Sequence, residues 1–161
     1  LRVEGEALKK DRQRLYQLIN DLIVPHFDFR QMSQWVLGQY WREASDPQKS
    51  EVTQQFKLLL VRTYSDALVE FRDESVAFLP IRDRSDTEVT VRSTIHRSAG
   101  PAVPITYQMH KVDDVWKVYD VAIEGVSLVI NYRSSFAQEI RRNGIDGLIK
   151  RLAEKNTTDG G

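Results

Sequence analysis

The sequence contains no cysteine. Disulfides and thiolate metal sites are therefore excluded, while an oxidising or a reducing compartment would suit the chain equally. An excess of charge of either sign is also missing: 23 Lys and Arg offset 23 Asp and Glu. With acids and bases mixed along the chain, no field is strong enough to hold a nucleic-acid backbone, and no nucleic-acid partner is expected. The eight glycines form neither a phosphate loop nor a dinucleotide fingerprint. No apolar run approaches the ~18 residues of a membrane-spanning helix. There is no internal repeat and no inter-domain linker. The 161 residues predict a single domain over residues 1–161, large enough to bury roughly 70% of its unfolded surface.

What is present is patterning. From Val3 to Val24, Leu8, Leu15, Leu18, Ile19, Leu22 and Ile23 recur at helical spacing, and Pro25 ends the run. A short helix is predicted from about Phe29 to Leu37, with Gly38 as its breaker and a connector to Asp46. Asp46 and Pro47 suit the start of the longest helix, reaching about Phe71. Its apolar arc, including Phe56, Leu59, Leu60 and Tyr64, is wider than one core-facing stripe requires.

Strands are predicted over Ser75–Ile81, Thr87–Arg97, Val103–Val112 and Val115–Ile123, rich in Val, Ile, Thr and Tyr. Alternation puts Val89, Val91, Ile105, Tyr107, Met109, Tyr119 and Val121 on one dry face. Asp113–Asp114 reads as a tight hairpin. The pattern then switches at Gly125 from period two to helical spacing, with Ser127 as a helix cap. Gly144 ends that helix before a last one bearing Ile145, Leu148, Ile149 and Leu152. Asn156 to Gly161 reads as a frayed, disordered tail. The order of elements gives an α+β class, with helices packed on one face of a four-stranded antiparallel sheet.

Catalytic constellations are weak. His96 and His110 fall on the polar faces of adjacent strands, where two imidazoles could approach each other, and His26 stands alone after Pro25; no carboxylate or cysteine lies at a metal-ligand spacing from them. Surface histidines are the plainer reading, and neither a metal nor a cofactor is expected. Ser127 lacks the G-x-S-x-G elbow. Asp120 and Glu124 could pair on one strand face for acid–base work, or simply form a polar outer face. Taken alone, the apolar residues are accounted for by ordinary core packing.

Three blocks carry a family resemblance: VLGQYWREASDPQKSEVTQQFKLLLVRTY (Val36–Tyr64), WKVYDVAIEGVSLVINYRSSF (Trp116–Phe136) and RRNGIDGLIKRL (Arg141–Leu152). They closely resemble the MlaC-type periplasmic phospholipid-binding proteins, the toluene-tolerance family. The resemblance implies an NTF2-like curved sheet with an added helical layer, enclosing acyl chains of a phospholipid. It implies a lining at Val36, Phe56, Leu60, Tyr64, Val91, Val103, Ile105, Tyr107, Tyr119, Val121, Val126, Val129 and Tyr132. It implies a monomer in the periplasm, with a signal peptide already removed ahead of Leu1. The partners implied are an inner-membrane ABC transporter with its MCE-domain subunit and an outer-membrane lipoprotein–porin complex. Arg133 and Arg141 fall near the mouth-forming helix, where a solvated helix face explains them equally well. Two readings of other classes stand beside this one. An NTF2-like isomerase or dehydratase would need an Asp or His inside the apolar interior, whereas alternation puts His96, His110 and Asp120 on the opposite side. A structural interaction domain would have a filled core.

Overall fold

A computed structural model of the chain describes residues 11–70, 75–81, 84–96 and 100–158, the side chains of 66–70, 75 and 158 excepted. The expected positions Leu8, Phe71 and Arg97 and the end of the tail, 159–161, lie outside the described residues. The elements are α1 (Arg12–Leu22), a 3₁₀ turn (Val24–His26), α2 (Phe29–Leu37), α3 (Tyr40–Glu43), α4 (Asp46–Glu70), β1 (Ser75–Phe78), β2 (Glu88–His96), β3 (Val103–Val112), β4 (Val115–Ile123), β5 (Val126–Ser127) and α5 (Leu128–Thr158). The class is α+β. The sheet is antiparallel throughout, in the order β1-β2-β3-β4-β5.

Five strands replace the four expected. Glu124 and Gly125 both take positive φ, 52° and 83°, as a two-residue type I′ hairpin requires. The chain therefore doubles back, and Val126 and Ser127 pair with Ile123 and Ala122 before the helix begins. Gly125 is a hairpin residue first and a strand-to-helix joint only two residues later. The Asp113–Asp114 hairpin forms as its sequence suggests, with φ of 51° and 65°. Strand β1 stops at Phe78 instead of Ile81: Leu79 N–H still donates to the Arg92 carbonyl at 2.9 Å, but Pro80 has no N–H to continue the ladder.

The chain forms two compact units, residues 1–28 with 64–128 and residues 29–63 with 129–161. In the first, one face of the sheet carries a cluster of Ile95, Val103, Ile105, Val118 and Val121, with Phe27, Tyr107, Met109, Ile123 and Leu128 packed against it. Alternation explains this face everywhere but in β4. There the register with β3 passes from Gln108–Asp120 to Met109–Val118, leaving Tyr119 as the extra residue of a β-bulge. Val118 takes the dry position opposite Met109. Tyr119, expected on the dry face beside Val121, instead lies against the His110 ring, with centroids 4.9 Å apart. In α1, Leu15 and Ile19 are buried as expected, but Leu22 is 65% exposed.

In the second unit, α2, α4 and α5 bury Met32, Val36, Val52, Phe56, Val129, Phe136 and Leu148, each at 5% exposure or less. Ser45 and Gln48 form the capping box of α4: Gln48 N–H donates to Ser45 Oγ at 3.2 Å, and Ser45 N–H to Gln48 Oε1 at 2.8 Å. Asp46 is then the first helical residue and not the cap. The expected connector after Gly38 holds the short helix α3. Gly144, with φ 76° and ψ 177°, divides α5 into two helical arms. The second arm continues through Thr158, beyond Asn156 where the polar tail was expected to begin. Asn156 is only 5% exposed, because its amide donates to the Gln55 carbonyl at 3.0 Å and to Gln55 Oε1 at 2.8 Å.

Candidate functional site

The first unit offers an apolar sheet face. Val91 and Val121 flank Tyr107 in register, and Val103 and Ile105 stand opposite Ile95 and Ser93. Val103, Ile105 and Val121 are buried; Val91, Tyr107 and Tyr64 are half-buried. Ser93, the polar residue within this face, donates its hydroxyl to the Ile105 carbonyl at 3.1 Å and so leaves no bare polar atom there. Val126 stands apart at 56% exposure.

The second unit centres on three rings. Phe56, wholly buried, meets Tyr132 and Phe136 edge-on, each at 5.5 Å between centroids and 76° between planes. This places Phe56 and Tyr132 together, with Val36, Leu60 and Val129 also buried in the unit. Tyr132 is half-buried and lines two clefts, of about 630 Å³ and 320 Å³. The larger is an open depression walled, among the described residues, by the first arm of α5 alone, past Arg133, Ser134, Gln138 and Arg141. A third, of about 220 Å³, is lined by Gln31, Gln34, Trp35, Trp41, Arg42 and Arg133.

The opposite, polar face of the sheet gathers titratable groups. His110 Nε2 lies 2.8 Å from Asp28 Oδ2, a partner 82 positions away that no local spacing announces. His96 and His110 do not meet: His110 pairs with Glu88 and His96 with Ser75, so eight strand residues, about 26 Å, separate them along β2. Ser127 donates to Asp120 Oδ2 at 2.5 Å, and Asp120 Oδ1 accepts the Val121 N–H at 2.8 Å. The Ser127 bond ties β5 to β4 through Asp120, while Glu124 sits exposed in the hairpin. The Tyr119 hydroxyl is pushed above its ordinary pKa of 10.0 by burial first, then by the carboxylates of Glu88 and Asp120. Among the described residues no group of three or more His, Cys, Asp or Glu could hold a metal ion, and no helix is long and apolar enough to cross a membrane.

Residues 1–154 match the MlaC protein family. The chain belongs to the MlaC family. It is 24% identical over 147 residues, 91% of its own length and 68% of the relative's, to the toluene tolerance protein Ttg2D of Pseudomonas putida. It is 22% identical over 158 residues, 96% of its length and 74% of the relative's, to the intermembrane phospholipid transport system binding protein MlaC of Haemophilus influenzae. The fold is similar to that of a phospholipid-binding protein from Ralstonia solanacearum solved in complex with a phospholipid. That likeness has a TM-score of 0.85 and 38% identity over 92% of this chain and 84% of the other. Sequence reasoning singles out Arg133 and Arg141 but not Ser134 and Gln138, which line the same surface of α5, although helical spacing relates all four.

Proposed function

We propose that this protein is a periplasmic phospholipid carrier, a binding protein and not an enzyme, that passes lipid between inner- and outer-membrane systems and thereby maintains outer-membrane lipid asymmetry. The observation that supports it most is the 38% identity, at TM-score 0.85, to a protein solved with a phospholipid bound. The acyl contacts proposed are Val36, Phe56, Leu60, Tyr64, Val91, Val103, Ile105, Tyr107, Val121, Val126, Val129 and Tyr132. Tyr119 leaves that set because the bulge turns it toward His110. An NTF2-like curved sheet with an added helical layer is the architecture this reading implies.

Carriage has to be reversible, and the energetics allow it. Two chains of about fifteen methylenes at ~0.8 kcal/mol each would release ~24 kcal/mol on leaving water, beyond the ceiling of noncovalent affinity. A membrane or another carrier offers tails an equally dry place. Net transfer is then near zero, and direction comes from the partners: an inner-membrane ABC transporter with its MCE-domain subunit and an outer-membrane lipoprotein–porin complex.

Mass spectrometry of an organic extract of the purified protein tests the reading. Stoichiometric diacyl phospholipid is expected; a lipid-free extract from protein expressed in lipid-replete cells would overturn it.

A further inference from the structure

The exposed side of α5 carries a run of hydrogen-bond donors. Arg133, Ala137 and Arg141 stand at i, i+4 and i+8, and Ser134 and Gln138 form the adjoining row, all five along the cleft of about 630 Å³. Every polar side chain in these two rows can donate, and none is acidic. Across the whole of α5, six basic residues face three acidic ones in a chain whose net charge is zero.

Arg133 is held for this task by one edge. Its Nε and Nη2 donate to the Trp35 carbonyl at 2.9 and 2.6 Å, which fixes the guanidinium plane. Among the described residues its Nη1 edge has no partner, so a fork of donors is turned outward with its rotamer freedom already spent. Arg141 lies about 12 Å further along the helix axis, with the small side chain of Ala137 between them on the same surface. One turn before this row, Ile130 is 65% exposed. The face therefore runs from bare apolar surface to a pair of guanidiniums.

We propose that this face binds a phosphate group, with Arg133 and Arg141 clamping the anion, Ser134 and Gln138 adding neutral hydrogen bonds, and Ile130 carrying the start of an attached chain. This rests on the carrier reading above and adds to it a site that selects phospholipid over lipids of equal tails without phosphate. Guanidinium–phosphate pairs are strong because the bond is charge-assisted and geometrically matched.

The test loads purified full-length protein from vesicles holding equal amounts of phosphatidylglycerol and diacylglycerol with identical chains, and counts both lipids in the extract. Wild type should take the phospholipid by about tenfold or more. Arg141→Gln, at an exposed position where folding is not at stake, should erase most of that preference and keep the total load. Arg133→Lys retains charge but loses the two-bond hold, and should reduce the preference less. Equal uptake of both lipids by wild type, or an unchanged preference in Arg141→Gln, overturns the phosphate site and leaves the carrier reading standing. Uptake of neither lipid overturns the carrier reading itself. Inorganic phosphate, followed by ³¹P line broadening with lipid-free protein, separates the sources. Broadening abolished by Arg141→Gln assigns the site to phosphate as such, and no broadening at all assigns it to the headgroup held with its tails. Broadening equal in both proteins counts against the site.

Discussion

The Arg133 guanidinium closes the end of a helix 98 positions away, donating twice to the carbonyl of Trp35. Trp35 lies in the last turn of α2, whose final carbonyls have no partner within the helix. Gly38 follows with φ 57° and its N–H on the Gln34 carbonyl at 3.0 Å. The two contacts give α2 a defined stop and tie it to α5.

Replacing Arg133 by Gln should therefore loosen α2. Because the site is exposed, the loss is expected at only about 1 kcal/mol, read as a lower urea midpoint. If α2 is the element that moves to admit lipid, transfer between vesicles should quicken in the same variant. An unchanged transfer rate would assign the gate elsewhere.

Phe56 has no exposed surface and sits against two rings. Phe56→Ala leaves a cavity at the centre of the second unit and should cost ~3–5 kcal/mol. Chemical denaturation measures this, and a loss below about 1 kcal/mol would show that Tyr132 and Phe136 collapse into the space.

Tyr119 makes stability depend on alkaline pH. Its folded-state pKa is raised above the unfolded value of 10.0, so in the window above that value the unfolded chain releases a proton that the folded one still holds. The stabilisation is complete below about pH 10 and declines as pH rises through the folded pKa. Thermal melts of wild type and Tyr119→Phe should thus run parallel at neutral pH and converge or cross above about pH 10. Parallel curves throughout would mean that the phenol titrates alike in both states.

Val126 is 56% exposed, so Val126→Glu should shift stability by no more than about 0.5 kcal/mol. In the acyl-contact set proposed above, the same carboxylate would have to desolvate beside hydrocarbon or stay protonated, and co-purified lipid should fall. A full lipid load with the fold intact removes Val126 from that set.

Local chemistry made much of this protein legible in its sequence. Asp113–Asp114 had to turn tightly, Gly38 and Gly144 had to interrupt helices, and β2 and β3 had to alternate, because φ, ψ and side-chain period are decided within a few residues. The capping box Ser45–Gln48 is equally local, although Asp46 next to Pro47 offers a competing cap. The bulge was not legible: nothing in VWKVYDVAI marks Tyr119 as the residue that β3 leaves unpaired, since register depends on both strands and on the hairpin joining them. Nor could spacing pair Asp28 with His110, Asn156 with Gln55 or Arg133 with Trp35, which lie 82, 101 and 98 positions apart. Sequence by itself determined the long helices, the strands β2 to β4, the apolar faces of β2 and β3 and the family to which the chain belongs. Only the tertiary structure decided which polar groups meet, because a hydrogen bond needs two atoms within about 3 Å, a condition that no periodicity encodes.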